Sequence, residues 1–118
     1  MRVAGAMIIG AALLASGGAS AQGKFDGNWS VLVSTQKGDC DTYRWPVIVQ
    51  NGVARYGGPE GFDVTGRVTN DGRVNGALAR GGDRANMVGR LSGGFGQGTW
   101  TASGSRTCSG VWQAERRG

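Results

Sequence analysis

Histidine is absent from this chain of 118 residues, and cysteine occurs only at Cys40 and Cys108. A serine or cysteine nucleophile normally needs a neighbouring base, most often histidine, so that kind of catalysis lacks its base here. A closed zinc site is built from cysteine, histidine and carboxylate ligands, and the chain offers neither histidine nor a third cysteine. We therefore predict no catalytic residues, no metal site and no cofactor, and we expect that the protein is not an enzyme.

Long apolar runs are also scarce, and the longest one covers residues 3–15. Arg2 precedes this run, and Ala19-Ser20-Ala21 follows it as a small-residue cleavage site. The run is too short to cross a bilayer as a helix, which favours a cleaved signal helix over a membrane anchor. We expect a signal peptide at 1–21 and a single β domain at 22–118, periplasmic or secreted, with no membrane span after processing.

Export changes what the two cysteines and the basic charge imply. An oxidising compartment favours a disulfide between Cys40 and Cys108, which would stabilise the fold by about 4 kcal/mol on the chain-entropy model. The net charge of +5 would suggest nucleic acid in an intracellular protein. Because the arginines are spread singly and the chain is expected to be exported, we predict no nucleic-acid partner. An arginine-rich outer face with weak attraction for an anionic envelope component is the remaining interpretation.

Short runs of alternating apolar and polar residues occupy the rest of the chain, and helical periodicity is absent from them. Glycine occurs 24 times, but four tryptophans argue against disorder, so the glycines indicate turns, bulges and close backbone contacts. About eight short strands fit between the turn signals. The predicted fold is all-β, a small antiparallel up-and-down barrel or sandwich.

One predicted hairpin also has a predicted register. Asn51-Gly52 is a strong signal for a two-residue turn. With these two residues as the loop, Val49 lies opposite Ala54 and Val47 lies opposite Tyr56. The apolar face then continues across the hairpin, which makes the register self-consistent.

Tryptophan recurs in a Gly-x-Trp motif, at Gly27-Asn28-Trp29, Gly98-Thr99-Trp100 and Gly110-Val111-Trp112. Glycine and tryptophan two residues apart share a strand face, so bare backbone can leave room for the ring. Two roles are open for such rings: a packed core, or an aromatic mouth for an apolar or planar ligand. The candidate core or ligand-binding aromatics are Trp29, Tyr43, Trp45, Tyr56, Trp100 and Trp112.

Two loops are candidate contact surfaces. The polar segment 36–42 holds Asp39 and Asp41 and would be fixed in place by a disulfide at Cys40. In the glycine-rich segment 93–96, alternation provides no core face for Phe95, so an exposed ring there could dock a partner.

Gly27 and Trp29 in a first strand, with Arg116 or Arg117 after the last strand, resemble the lipocalin and avidin group of up-and-down barrels. In that group such an arginine packs over the first-strand tryptophan. The resemblance implies the same contact here and a ligand-binding role.

Six short motifs are spread over most of the chain after residue 21. They are Phe25-Asp26-Gly27, Lys37-Gly38-Asp39-Cys40, Gly61-Phe62-Asp63-Val64, Gly89-Arg90-Leu91, Gly98-Thr99-Trp100 and Cys108-Ser109-Gly110. In these motifs the chain resembles a group of small exported proteins of alphaproteobacteria, some of which are labelled for haem utilisation or adhesion. A haem axial ligand in this chain would have to be Tyr43, Tyr56 or Met87, and each is more simply explained as a core or strand residue.

The function expected from the sequence is that of an exported, non-catalytic binding or interaction module whose ligand is unknown. Its partner would be an apolar small molecule or an anionic envelope component. The alternative is an enzyme inhibitor or an envelope-structural protein that uses its loops and an arginine-rich outer face.

Overall fold

Eight antiparallel strands follow one another in a computed structural model of the chain, which describes residues 23–59 and 62–118. Each strand pairs with its neighbours in sequence, and β1 pairs with β8 to close a barrel. The all-β prediction is confirmed, and of the two architectures expected the barrel is the one found. The predicted signal helix at 1–21 lies outside the described residues. The strands are β1 (Gly27–Lys37), β2 (Tyr43–Gln50), β3 (Val53–Tyr56), β4 (Asp63–Val68), β5 (Arg73–Arg80), β6 (Asp83–Ser92), β7 (Phe95–Ser103) and β8 (Cys108–Arg116).

The β2–β3 hairpin has the turn and the register that the sequence predicts. Both residues of Asn51-Gly52 have positive φ, 52° and 76°, as a type I′ turn requires. Val49 pairs with Ala54 and Val47 pairs with Tyr56, so the predicted register is confirmed. The apolar face of β2 therefore continues into β3 inside the barrel.

One end of the barrel, which we call the closed end, has its strands paired as far as the turns. Three hairpin turns lie there, and in each a glycine carbonyl oxygen accepts a hydrogen bond from the backbone N–H of a later strand. Each bond extends the ladder between two neighbouring strands by one residue pair. The bonds, with the donor first, are Val68 to Gly52 (2.8 Å), Leu91 to Gly72 (2.7 Å) and Arg116 to Gly94 (2.8 Å).

A tryptophan and an arginine complete the closed end. Trp29 is buried, and its indole N–H donates to the carbonyl oxygen of Phe25 at 2.9 Å. The Arg116 guanidinium lies 5.0 Å from the centre of the Trp29 ring and donates to the carbonyl oxygens of Asp26 and Gly93. Of the two terminal arginines named as candidates, Arg116 is thus the one that packs over the first-strand tryptophan.

The Asp26 carboxylate ties the segment before β1 to the β2–β3 turn. It accepts backbone N–H bonds from Asn51 (2.8 Å), Gly52 (3.3 Å) and Gly23 (3.2 Å). The bond from Asn51 is the largest cause that lowers the pKa of Asp26. Gly52, Gly23 and the charge of Arg116 lower that pKa further, against an opposing effect of desolvation.

The other two Gly-x-Trp motifs form a reciprocal pair on β7 and β8. Trp100 lies directly opposite Gly110, and Trp112 lies directly opposite Gly98. A Cβ atom on Gly98 would come within 2.6 Å of the Trp112 indole nitrogen. A Cβ atom on Gly110 would collide with the carbonyl oxygen of Ser34 on β1. The Trp112 ring therefore needs the bare backbone of Gly98, whereas Gly110 is required by the close approach of the β1 backbone.

Each indole N–H group also donates to a strand that is not adjacent to its own strand. The Trp100 indole donates to the carbonyl oxygens of Ser34 on β1 (3.0 Å) and Val111 on β8 (3.2 Å). The Trp112 indole donates to the carbonyl oxygen of Val88 on β6 at 3.1 Å. Since a buried indole N–H without a partner would be costly, these bonds allow both rings to be buried.

We predict that the reciprocal pair is a main source of stability. Gly110→Ala should lower the free energy of unfolding by about 2 to 4 kcal/mol, because its methyl group would displace backbone and disturb the Trp100 bonds. Gly82→Ala is the matched control, since no atom lies within 4 Å of a Cβ there. Urea unfolding measures both changes. Equal stability of the two variants would contradict the prediction.

We also predict that Asp26 makes the fold sensitive to acid. The pKa of Asp26 is lower in the folded protein than the value of about 3.9 in an unfolded chain. The ionised carboxylate therefore stabilises the fold in full at pH values above about 3.9. That contribution is lost as the pH falls through the folded pKa. Asp26→Asn should therefore be less stable than wild type near neutral pH and lose less stability on acidification to about pH 3.

The measurement is urea unfolding at several pH values, with Asp63→Asn at the exposed start of β4 as the control. Parallel curves of stability against pH for wild type and Asp26→Asn would show that Asp26 is not the group responsible.

Candidate functional site

The other end of the barrel, the open end, carries the disulfide. Cys40 in the β1–β2 connection is bonded to Cys108, the first residue of β8, with their Cα atoms 6.2 Å apart. The predicted pairing is confirmed. The bond fixes the β1–β2 connection against the wall of the barrel, beside Asp41 and Arg106 at the rim.

A cavity of about 390 Å³, the mouth, opens at this end. The strand β3 ends at Tyr56 after only four residues, and two residue pairs join β3 to β4. The wall is therefore low on this side, and the interior is accessible there. The residues that line the mouth include Tyr43, Trp45, Phe62, Leu78, Arg80, Met87, Trp100 and Arg106.

Aromatic rings form one side of the mouth. The Tyr43 and Trp45 rings are stacked with their centres 5.8 Å apart, and Phe62 lies 5.7 Å from Trp45. Tyr56 meets Phe62 edge to face at 5.2 Å. We call Tyr43, Trp45 and Phe62 the aromatic wall. Trp45 and Phe62 are half-buried and Tyr43 is 41% exposed, so these rings leave apolar surface in contact with water.

A smaller cavity of about 80 Å³ lies below the mouth and shares Trp45, Leu78 and Met87 with it. Its other walls come largely from small inward residues of β3, β4 and β5, among them Ala54, Val64, Gly66, Val74 and Gly76. These positions are only half-buried, whereas the inward residues of β1 and β8 are buried. The barrel is thus solid on the side of the two large tryptophan rings and hollow on the opposite side.

Polar contacts hold the connection between β7 and β8 at the rim. The Asp83 carboxylate accepts hydrogen bonds from the backbone N–H (2.7 Å) and the hydroxyl (2.9 Å) of Ser105. These two bonds, with a smaller effect of the Arg106 charge, hold the pKa of Asp83 below its usual value. Arg106 donates to the carbonyl oxygen of Asp39, which links the two loops that meet at the disulfide.

The structure divides the six candidate aromatics between the two roles that the sequence leaves open. Trp29, Trp100 and Trp112 are buried in the core, and each donates its indole N–H to a backbone carbonyl oxygen. Trp100 also borders the mouth. Trp45 and Tyr43 line the mouth, and Tyr56 contacts Phe62 behind it. Phe95, the exposed ring expected in a turn, begins β7 at the closed end and is 64% exposed.

Sequence reasoning missed Arg80 as a functional candidate. The inward residues of β5 are Val74, Gly76 and Leu78, and the same period of two continues to Arg80. The period of two was the sequence signal that could have indicated Arg80. Because the turn Gly81-Gly82 follows directly, an arginine at this position is also what a solvent-exposed strand end would carry. In the structure Arg80 lies at the rim with its guanidinium 4.8 Å from the centre of the Phe62 ring.

Within residues 23–59 and 62–118, no helix is long and apolar enough to cross a membrane. The same residues contain no group of three or more histidine, cysteine or carboxylate side chains able to hold a metal ion. Comparisons with models of protein families, with curated proteins and with solved structures find no match to this chain. Function is therefore inferred from the geometry of the mouth.

Proposed function

We propose that this protein is an exported, non-catalytic binding module that takes a small, planar, apolar molecule into the open end of its barrel. The observation that carries the proposal is the aromatic wall, three rings in mutual contact that line one cavity and stay partly exposed. Concave sites lined by aromatic side chains and a few polar groups are typical of small-molecule binding. The volume of about 390 Å³ falls in the range of such sites.

The distribution of apolar surface favours a planar ligand over a globular one. A flat ring system that lies against Trp45 and Phe62 would remove apolar surface on both partners from water, which is favourable by about 25 cal/mol per Å². The cavity of about 80 Å³ below is too narrow for a ring system of that size, but it can accept a small substituent. Leu78 and Met87 line both spaces and would contact the ligand at the passage between them.

Export belongs to the same proposal. The disulfide between Cys40 and Cys108 supports it, because such bonds persist in oxidising compartments outside the cytosol. The expected cleavage after Ala21 would leave the described residues as the mature barrel. A periplasmic or secreted location follows from these two features together.

A second candidate function uses the outer wall. Arg73 and Arg90 lie directly opposite each other across the β5–β6 ladder, and both are exposed. Like charges in that position repel, and an oxyanion bound between them would relieve the repulsion. The Asp71 carboxylate provides partial compensation. The hydrogen bond from Thr69 is the largest cause that lowers its pKa, and the charges of Arg73 and Arg90 both help to lower it. This pair favours the alternative of an envelope-structural protein that contacts an anionic envelope component.

The binding proposal predicts that Trp45 determines the affinity for flat apolar molecules. The neutral probe N-phenyl-naphthylamine should bind to wild type with a rise in its fluorescence. Trp45→Leu should weaken this binding about ten-fold, because it removes the largest ring of the aromatic wall. Phe95→Leu is the matched control, since it removes a ring that is more exposed but lies at the closed end. Titration of the probe into each protein measures the three affinities.

Two results would contradict the binding proposal. One is the absence of any saturable binding to wild type, which would favour the outer-wall alternative. The other is an equal loss of affinity in Trp45→Leu and Phe95→Leu, which would show that the probe binds elsewhere.

A further inference from the structure

Arg80 is the charged group whose position in the mouth the fold defines most clearly. It is the last residue of β5 and follows Val74, Gly76 and Leu78 on the inward face of that strand. Its guanidinium lies over the Phe62 ring, with the central carbon 4.8 Å from the ring centre. Arg80 therefore stands at the edge of the aromatic wall, where a ligand lying on that wall would end.

No carboxylate pairs with Arg80 among the described residues. The ion pair that the described residues contain joins Arg117 to Glu115 at the end of β8, away from Arg80. Asp41 and Asp83 line the mouth, but neither lies within ion-pair distance of Arg80, and Asp83 already accepts two bonds from Ser105. None of the described carboxylates therefore occupies the N–H donors of the Arg80 guanidinium, and such donors can serve an incoming acceptor.

The surroundings of Arg80 strengthen its attraction for an anion. The Phe62 ring lies beside the guanidinium and excludes water from that side, while Arg80 as a whole stays exposed. Arg84 and Arg106 also line the mouth, so the described residues place three arginines and two aspartates there. The net positive charge of these side chains attracts an anion.

We propose that the ligand of the mouth is an amphipathic anion. Its planar apolar body would lie on Trp45 and Phe62, and its carboxylate or other oxyanion would pair with Arg80 at the rim. This inference rests on the proposed binding function and adds the charge of the ligand to it. Arg80 is accordingly the residue that distinguishes an acid from a neutral molecule of the same shape, because planar guanidinium and oxyanion groups form two parallel hydrogen bonds.

Two fluorescent probes with the same ring framework test the proposal. Anilinonaphthalene sulfonate carries a sulfonate, and N-phenyl-naphthylamine is the same framework without it. Wild type should bind the sulfonate more tightly than the neutral probe. Arg80→Gln should weaken sulfonate binding about ten-fold and change the affinity for the neutral probe by less than about two-fold. Added salt should weaken only the sulfonate, because screening acts on charge.

Arg67→Gln is the matched control, since it removes the same charge from an exposed position on the outer face of β4. Equal binding of the two probes to wild type would overturn the inference about charge and leave the binding function intact. So would an equal loss of sulfonate affinity in Arg80→Gln and Arg67→Gln. If neither probe binds, the binding function fails and the inference fails with it. Circular dichroism of each variant confirms that the barrel is folded before titration.

Discussion

The pairing of two tryptophans with two glycines across neighbouring strands is the interaction on which the rest of the barrel depends. Trp100 and Gly110, and likewise Trp112 and Gly98, face each other across β7 and β8. Because each indole also bonds to a strand beyond its partner, the two rings join β6, β7, β8 and β1 into one solid half. The largest side chains are used there, and the small inward residues of β3 to β5 cannot fill the opposite half. The mouth and the cavity below it follow from this uneven distribution of volume.

The two ends of the barrel differ because different covalent and polar contacts hold them. At the closed end, backbone bonds keep the strands paired up to the turns, and Trp29 is buried with the Arg116 guanidinium over its ring. At the open end, the disulfide fixes the β1–β2 connection against the wall and stabilises the fold covalently. A rigid rim around an apolar space is what a small binding protein requires, since ordering loops on binding would cost affinity.

Much of the fold could be predicted from short-range sequence patterns, and the site could be predicted only in part. Alternation predicts inward and outward faces, and Asn51-Gly52 predicts one register, because both depend on neighbours in the chain. The contact of Trp100 with Gly110 depends on the register of β7 with β8, which the motif spacing does not contain. For the same reason the sequence predicts all four tryptophans as inward-facing rings but does not distinguish the half-buried Trp45 from the three buried ones. Arg80 was missed because its role requires Phe62, which comes from another strand connection.

Proton exchange of the four tryptophan indole N–H groups in heavy water, followed by NMR, tests the central claim most directly. The claim is that three rings are fixed in the core of the barrel and that the fourth lies at the proposed ligand site. The indoles of Trp29, Trp100 and Trp112 donate to backbone carbonyl oxygens and should exchange slowly, whereas that of Trp45 should exchange quickly. Slow exchange at Trp45, or four indoles that exchange at the same rate, would contradict the account.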